Sequence, residues 1–385
     1  MSRVVLIRSN PIKPYPRLEK MANALIKSGH SVTVLAWDRE EDYKPRTEEL
    51  VLLSGTVPIV RIGIKGVYSG GFKKNAWGLL KFQLFIINWL LKNKQNFDIV
   101  HAYDFDTGYS ARLCASILNK KLIYDIPDYY VDSHNMSGKP IGKVVRKLEN
   151  RVIDSADATI ICTEERKQQI YGSHPKKLVV IHNTPDSAVV KDDTALKLPK
   201  SGRLKLVYVG VLQESRFIDK IVDVVSRRQD CEFHIGGFGS KMESYFENAA
   251  KLYNNVFFYG RIPYATTIQL ERECDVMCAL YDPSIPNHKY AAPNKFYEAL
   301  FLGRPLIMAK NTGMASVVEK KGIGVVIDYS EEGLNRAIDY LIANRAKWKD
   351  ISNIEHQMYE EQYSWDVMQQ RIINLYNEIG GKNNG

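Results

Sequence analysis

Residues 287–309 read NHKYAAPNKFYEALFLGRPLIMA. Pro293 has its φ angle locked near the helical value, so it can open a helix at the first turn. Lys295 then lies in that first turn, and Glu298 sits three residues on along the same face. A cation beside a helix N-terminus is electrostatically misplaced unless an anion is bound there. A ligand with phosphate at Lys295 and hydroxyls near Glu298 fits the pair, and a nucleotide is such a ligand. The alternative is a solvated Lys–Glu pair worth about a few tenths of a kcal/mol. The apolar run 305–309 that follows reads as a β-strand.

Outward from this stretch the chain alternates short β-rich runs with helical ones, which is the pattern of βαβ units. In the first half the expected strands are 4–7, 31–36, 59–62, 99–101, 121–124, 158–162 and 178–181, with a helix at 17–28 closed by Gly29. The second half restarts the pattern with strands at 204–209, 232–235, 256–259, 276–280, 305–309 and 324–327. Between the halves, 186–202 is polar, carries Lys191, Asp192 and Asp193, and reads as a linker. The expected fold class is therefore α/β, with two Rossmann-like doubly wound parallel-sheet domains. The first spans 1–185 and is completed by a C-terminal helix at 364–385; the second spans 203–363. Ligands of such sheets bind outside the carboxyl ends of the strands.

The 385 residues are 45% apolar and 25% charged, ordinary globular values that exclude a disordered tail, a collagen or a polytopic membrane protein. The net charge of +9 is unevenly placed. Residues 1–180 hold 28 Lys+Arg against 18 Asp+Glu, while 181–385 hold 25 against 26. The first half is thus expected to meet an anionic partner. Residues 77–91, WGLLKFQLFIINWLL, are too short and too charged to span a bilayer. They read either as a half-buried domain helix or as an interfacial helix on anionic lipid, and the basic segment 139–151 favours the second. No basic stretch leads into a long apolar segment at the N-terminus, so no secretory signal is expected. The five cysteines lack zinc-site spacing and are expected to be buried thiols of a cytosolic protein.

Several chemistries are disfavoured. There is no Walker loop, no Gly-x-Ser-x-Gly and no His-Glu-x-x-His. The first strand–helix turn, 8–17, has no glycine, whereas a dinucleotide clasp needs one for close approach to a pyrophosphate. Residues 236–239, GGFG, follow a strand and precede a helix expected near Lys241, a place where backbone N–H groups can meet an anion or simply turn the chain. The pairs Asp104/Asp106 and Asp125/Asp128 read as cleft-lining carboxylates or caps, and no metal is predicted.

The run PNKFYEALFLGRPLI, 293–307, resembles the nucleotide-sugar-binding segment of retaining GT-B glycosyltransferases of family 4. The resemblance extends through most of the chain. It includes 208–212 (YVGVL) with Arg216 just beyond, GGFG, 256–263 (VFFYGRIP), 98–106 (DIVHAYDFD), 124–130 (YDIPDYY) and the closing segment 363–380. It implies that Arg216 and Lys295 clamp the donor diphosphate and stabilise the leaving nucleotide. It further implies that Glu298 binds ribose hydroxyls and that Pro293 and Asn294 contact the donor. Gly210 and Gly239 would line the phosphate region, and Arg261 the base pocket. His101 or Asp104 would meet a sugar hydroxyl near the reacting carbon, and Arg17 the acceptor or phosphate. Where the family often carries a further glutamate, eight positions before Glu298, this chain has Tyr290.

The resulting expectation is a retaining hexosyl-type transferase. Its donor is a nucleoside-diphosphate sugar, with a UDP-sugar favoured. Its acceptor is a hydroxyl of a lipid-linked or growing saccharide in cell-surface polysaccharide assembly. No cofactor, metal or nucleic acid is called for, and the basic first half is expected to rest on the inner face of the cell membrane. Two other classes remain: a GT-B nucleotide-sugar epimerase, and a non-catalytic basic nucleotide- or nucleic-acid-binding protein.

Overall fold

In the computed structural model, which describes residues 1–67, 71–187, 198, 200–239 and 242–381 (side chains of 71–74 excepted), the apolar runs become buried strands and the chain divides into two compact units. One comprises Met1–His182 with Met368–Gly385, the other Asn183–Val367. Most of the stretch read as a linker, 188–197 and 199, lies outside the described residues, as does Lys241.

The first unit is built on eight strands: β1 (Arg3–Arg8), β2 (Ser31–Asp38), β3 (Tyr43–Leu52), β4 (Gly55–Gly63), β5 (Ile99–Tyr103), β6 (Lys121–Ile126), β7 (Ala158–Ile161) and β8 (Leu178–Val180). Their order is β3-β4-β2-β1-β5-β6-β7-β8. The order reverses between β1 and β5, the topological switch point of this sheet. Central strands such as β5 are buried along their whole length, as parallel strands covered on both faces must be. The helices are α1 (Pro16–Lys27), α2 (Gly71–Lys92), α3 (Phe105–Ile117), α4 (Tyr130–Ser133) and α5 (Pro140–Ser155).

β3 departs from the expected parallel pattern. It pairs antiparallel with β4, and its register shifts between Tyr43 and Arg46, where Pro45 cannot donate to the ladder. The strand is mostly exposed and reads YKPRTEELVL, so it has no apolar face to betray it; edge position and a hairpin to β4 hold it in place.

The second unit holds β9 (Leu204–Val211), β10 (Cys231–Phe238), β11 (Val256–Phe258), β12 (Val276–Ala279), β13 (Leu306–Ala309) and β14 (Gly324–Ile327), in the order β11-β10-β9-β12-β13-β14. Counted within the unit, that is 3-2-1-4-5-6, the dinucleotide-fold order, with its switch point between β9 and β12. Its helices are α6 (Ile218–Ser226), α7 (Glu243–Leu252), α8 (Tyr264–Glu273), α9 (Asn294–Leu302), α10 (Ala315–Lys321), α11 (Glu331–Ala343) and α12 (Trp348–Met358), followed by α13 (Trp365–Gly381). One apolar cluster gathers Leu206, Ile221, Phe233 and Ile338; a second gathers Val207, Phe296, Leu300 and Met308. Alternate residues of β9 thus serve opposite faces of the sheet.

β9 and β10 bring Gly210 and Gly237 opposite each other as register partners. A Cβ on Gly237 would stand 1.9 Å from the Gly210 carbonyl oxygen, and Gly237 has φ +147°. Gly237→Ala should therefore force the two strands apart and destabilise the protein by at least about 2 kcal/mol. Its thermal unfolding midpoint, compared with the wild type, checks this.

Candidate active site

At the switch point of the second unit the chain leaves β9 through Gly210 and β12 through Leu280 and Tyr281. α9 points its first turn toward the same place. Pro293 is the N-cap residue rather than the first helical one, Asn294 is exposed, and Lys295 is buried at 6% relative exposure. The Lys295 ammonium donates to the Val209 carbonyl and lies 4.3 Å from the centre of the Tyr208 ring. Gly210 permits this approach, since a Cβ there would come within 3.0 Å of Lys295 Nζ. Burial works to lower the Lys295 pKa, but Tyr208, Glu298, Tyr281 and Glu271 together carry it above the ordinary lysine value. The ammonium is therefore held charged.

Arg216 ends a single turn of 3-10 helix at Glu214–Arg216, directly before Phe217 in the left-handed conformation. Its guanidinium stacks on Tyr281 at 3.7 Å, and its buried Nη1 has no hydrogen-bond partner. Tyr208 feels the charges of both Lys295 and Arg216, so the two cations belong to one electrostatic neighbourhood. Two positive groups braced on aromatic faces, one with an open N–H, suit an anion. Glu298 is buried on α9 at 4% exposure and accepts a hydrogen bond from the Tyr264 hydroxyl. Glu271 on α8 is fully buried with neither carboxyl oxygen bonded, and burial raises its pKa well above the carboxylate range.

The remaining second-unit expectations fall nearby. Gly239 follows β10, but its N–H donates to Glu243 Oε1 at 2.7 Å, so the helix's own acid occupies the N–H expected to meet an anion. Arg261 is exposed and covers the Phe238 ring at 4.5 Å, beyond the ends of β11 and β10. Tyr290 ends a short 3-10 turn, with Lys289 over its ring. A cavity of about 630 Å³ borders Glu214, Ser215 and Phe217, but Asp219, Asp282, Glu331 and Glu332 also line it. Lys220 is the lining cation, so carboxylates predominate there and disfavour a diphosphate.

In the first unit His101 and Arg17 lie within the packed core. His101 lies in the middle of β5 with no exposed surface, stacked on Tyr103. Its Nδ1 hydrogen-bonds the Tyr376 hydroxyl at 2.6 Å, and its Nε2 lies 3.6 Å from Asp125 Oδ2. The Nδ1 contact fastens α13 to the sheet, and Nε2 is buried without a hydrogen-bond partner. Arg17 sits in α1 rather than in the loop before it, and its guanidinium grips Asp125 at 2.8 and 3.0 Å and donates to the Ile181 carbonyl. That guanidinium is committed to the core, not to an acceptor. Burial alone would raise Asp125 and lower His101. Arg17 and His101 outweigh it for Asp125, which stays below the usual carboxylate range, while His101 stays below the ordinary imidazole value.

Asp104 lies at the switch point of the first sheet, just past the end of β5. It pairs with Arg8 at the end of β1, while Asp106 accepts from Ser9. Asp104 adopts φ 59°, ψ 167°, a region that side-chain-bearing residues rarely occupy and that marks functional positions when it is held. Oδ1 of Asp104 and Oδ1 of Asp106 are buried without partners. Burial, assisted by Asp106 and Asp128, lifts the Asp104 pKa against the pull of Arg8. Among the described residues no group of three or more His, Cys, Asp or Glu could hold a metal ion.

Two doubly wound units, the second with a cationic, ring-lined switch point, define a protein of the GT-B class. Residues 17–188 match the sequence model of the family described as Glycosyltransferase Family 4, and 191–363 the model described as Glycosyl transferases group 1. The chain belongs to the GT-B glycosyltransferases of family 4 type. Its structure is similar to sucrose-phosphate synthase from Thermosynechococcus elongatus, at TM-score 0.75 and 14% identity over 100% of both chains. HepE from Anabaena, solved in complex with UDP, matches at 0.70 and 15% identity, over 98% of this chain and 100% of that one. WaaG, a glycosyltransferase of lipopolysaccharide biosynthesis, matches at 0.65 and 16% identity, over 99% and 100%. At such identities the likeness concerns the fold. No curated protein matches the chain.

Asp125→Asn should leave the Arg17 guanidinium buried without its charge partner and cost about 3–5 kcal/mol. Replacing Arg17 and Asp125 together by apolar residues should recover much of that loss. Urea unfolding of the three variants measures both effects.

Proposed function

We propose that the protein transfers a sugar from a nucleoside-diphosphate sugar, a UDP-sugar in preference, to a hydroxyl of a lipid-linked or growing saccharide, with retention of anomeric configuration. The pairing of Lys295 and Arg216 at the switch point of the second sheet carries this reading. The UDP held by HepE supports it. In the reaction the bond between the anomeric carbon and the β-phosphate oxygen breaks. The acceptor oxygen bonds to the same face of that carbon, and the acceptor proton passes to the departing phosphate. No protein nucleophile is needed. Lys295 and Arg216 neutralise the charge that grows on the leaving diphosphate, a preorganised stabilisation that acts most strongly in the transition state. Glu298 takes the ribose hydroxyls, with Asn294 beside it on the donor. Gly210 borders the diphosphate, and Arg261 stands by the base. Asp104, with an open carboxylate oxygen, is the first-unit group we assign to a sugar hydroxyl, in place of the buried His101.

The acceptor is placed at an anionic membrane surface, on the inner face of the cell membrane, where surface polysaccharides begin. Trp77, Leu80, Leu84 and Leu91 form an exposed stripe at helical spacing on α2, and that helix contains no Asp or Glu. Apolar residues of this kind with lysines beside them suit the headgroup region. No helix among the described residues is long and apolar enough to cross a membrane.

Lys295→Ala and Arg216→Ala should each reduce kcat/KM by about 10²-fold or more. Sugar transfer is assayed from a panel of UDP-sugars, and near-normal turnover in both variants would sink the assignment. Donor conversion without any acceptor would identify an epimerase instead. Wild-type protein should float with vesicles containing anionic phospholipid and remain behind with neutral ones. Equal behaviour with both would remove the membrane proposal.

A further inference from the structure

Beside the carboxyl end of β5, α2, α3 and α5 leave a groove of about 260 Å³ whose surface is almost wholly apolar. Leu79 comes from α2, Phe105 from α3, Tyr130 from α4, Met136 from the loop beyond it, and Ile141 and Val145 from α5. The polar groups at its edge largely satisfy one another: Gln83 donates to the Asp106 carbonyl, and Ser110 donates to Gln83. What remains is Asp106 Oδ1, buried and without a partner. An open carboxylate oxygen accepts from a hydroxyl and repels a phosphate.

The helix that supplies Ile141 and Val145 is basic on its exposed side. α5 exposes Lys143, Lys147 and Arg151 against Asp154, because its other acid, Glu149, is buried and bonded to the Tyr124 hydroxyl. Arg112 stacks on Tyr109, itself a lining residue, at 5.3 Å. The apolar surface also continues outward on both sides. Leu80 and Leu84 are 47% and 59% exposed on α2, and Ile141 and Val144 are 51% and 55% exposed on α5. Apolar surface flanking an apolar groove, with Arg112 stacked on one of its lining rings, is complementary to an anionic amphiphile. The cavity falls below the roughly 300–1,000 Å³ of ordinary small-molecule sites. It offers a sugar ring no array of donors, but it fits one hydrocarbon chain.

We propose that this groove holds the hydrocarbon chain of the anionic lipid-linked acceptor, with the phosphate against Arg112 and a sugar hydroxyl toward Asp106. The word acceptor rests on the glycosyl-transfer reading; binding of the chain does not.

Isothermal titration of the full-length protein with dodecyl phosphate below its micellar concentration tests the proposal. Saturable binding is expected, with inorganic phosphate giving none at the same concentrations and dodecyl maltoside binding at least tenfold more weakly. Val145→Trp, which fills the groove, and Ile141→Glu, which charges its mouth, should each weaken dodecyl phosphate at least tenfold. Thermal stabilisation by UDP should be unchanged in both variants. If Val145→Trp alone loses its UDP response it has misfolded, and Ile141→Glu decides. Wild-type affinity in both folded variants would overturn the groove as the site. Equal binding of inorganic phosphate would reduce it to surface charge, and equal binding of dodecyl maltoside would remove the anionic requirement. Absence of any UDP response in the wild type would instead count against the donor site, leaving the titrations to judge the groove.

Discussion

A lysine ammonium kept charged inside the second unit is the constraint on which its other features depend. Lys295 is held by a backbone carbonyl and an aromatic face, and no carboxylate forms an ion pair with it at contact distance among the described residues. Burying a cation is costly unless the surroundings compensate. The compensation here is assembled from separate segments. Gly210 clears the approach, Val209 and Tyr208 come from β9, Tyr281 follows β12, and Glu298 lies one turn along α9. Only the adjacency of β9 and β12 at a switch point brings these together. A charge stabilised by rings and a carbonyl, rather than cancelled by a neighbour, keeps its field available to an incoming anion.

The polar centre of the first unit works differently. Arg17, Asp125, His101 and Tyr376 contact one another, tying α1, β5, β6 and α13 into one core. At the strand ends, carboxylate oxygens of Asp104 and Asp106 are left without hydrogen-bond partners. The same residue types thus act as structure in mid-strand and as candidate site groups at the carboxyl end, because only the latter position faces away from the packed sheet.

The alternation of apolar runs with helical stretches was legible because parallel strands must be buried on both faces, which writes them as short apolar blocks. The Lys295–Glu298 spacing was legible because helical neighbours recur at three and four residues. β3 escaped notice because an exposed edge strand needs no apolar pattern. The burial of Arg17 and His101 was not legible, since nothing local announces that Arg17 meets a carboxylate 108 positions away. Tyr208 and Tyr281 carried no motif of their own; an aromatic face becomes a cation's platform only when distant segments converge on it.

The sequence by itself determined the residue types, their periods and the uneven charge, and with these the α/β class, the cation at the start of α9 and the basic character of the first half. Tertiary structure decided which charged groups are consumed internally and which keep an open atom. It also decided that side chains from α2, α3, α4 and α5 leave an apolar groove uncovered. The physical reason is range. Propensity and periodicity act over a few residues, whereas burial and charge pairing join atoms separated by many tens of positions.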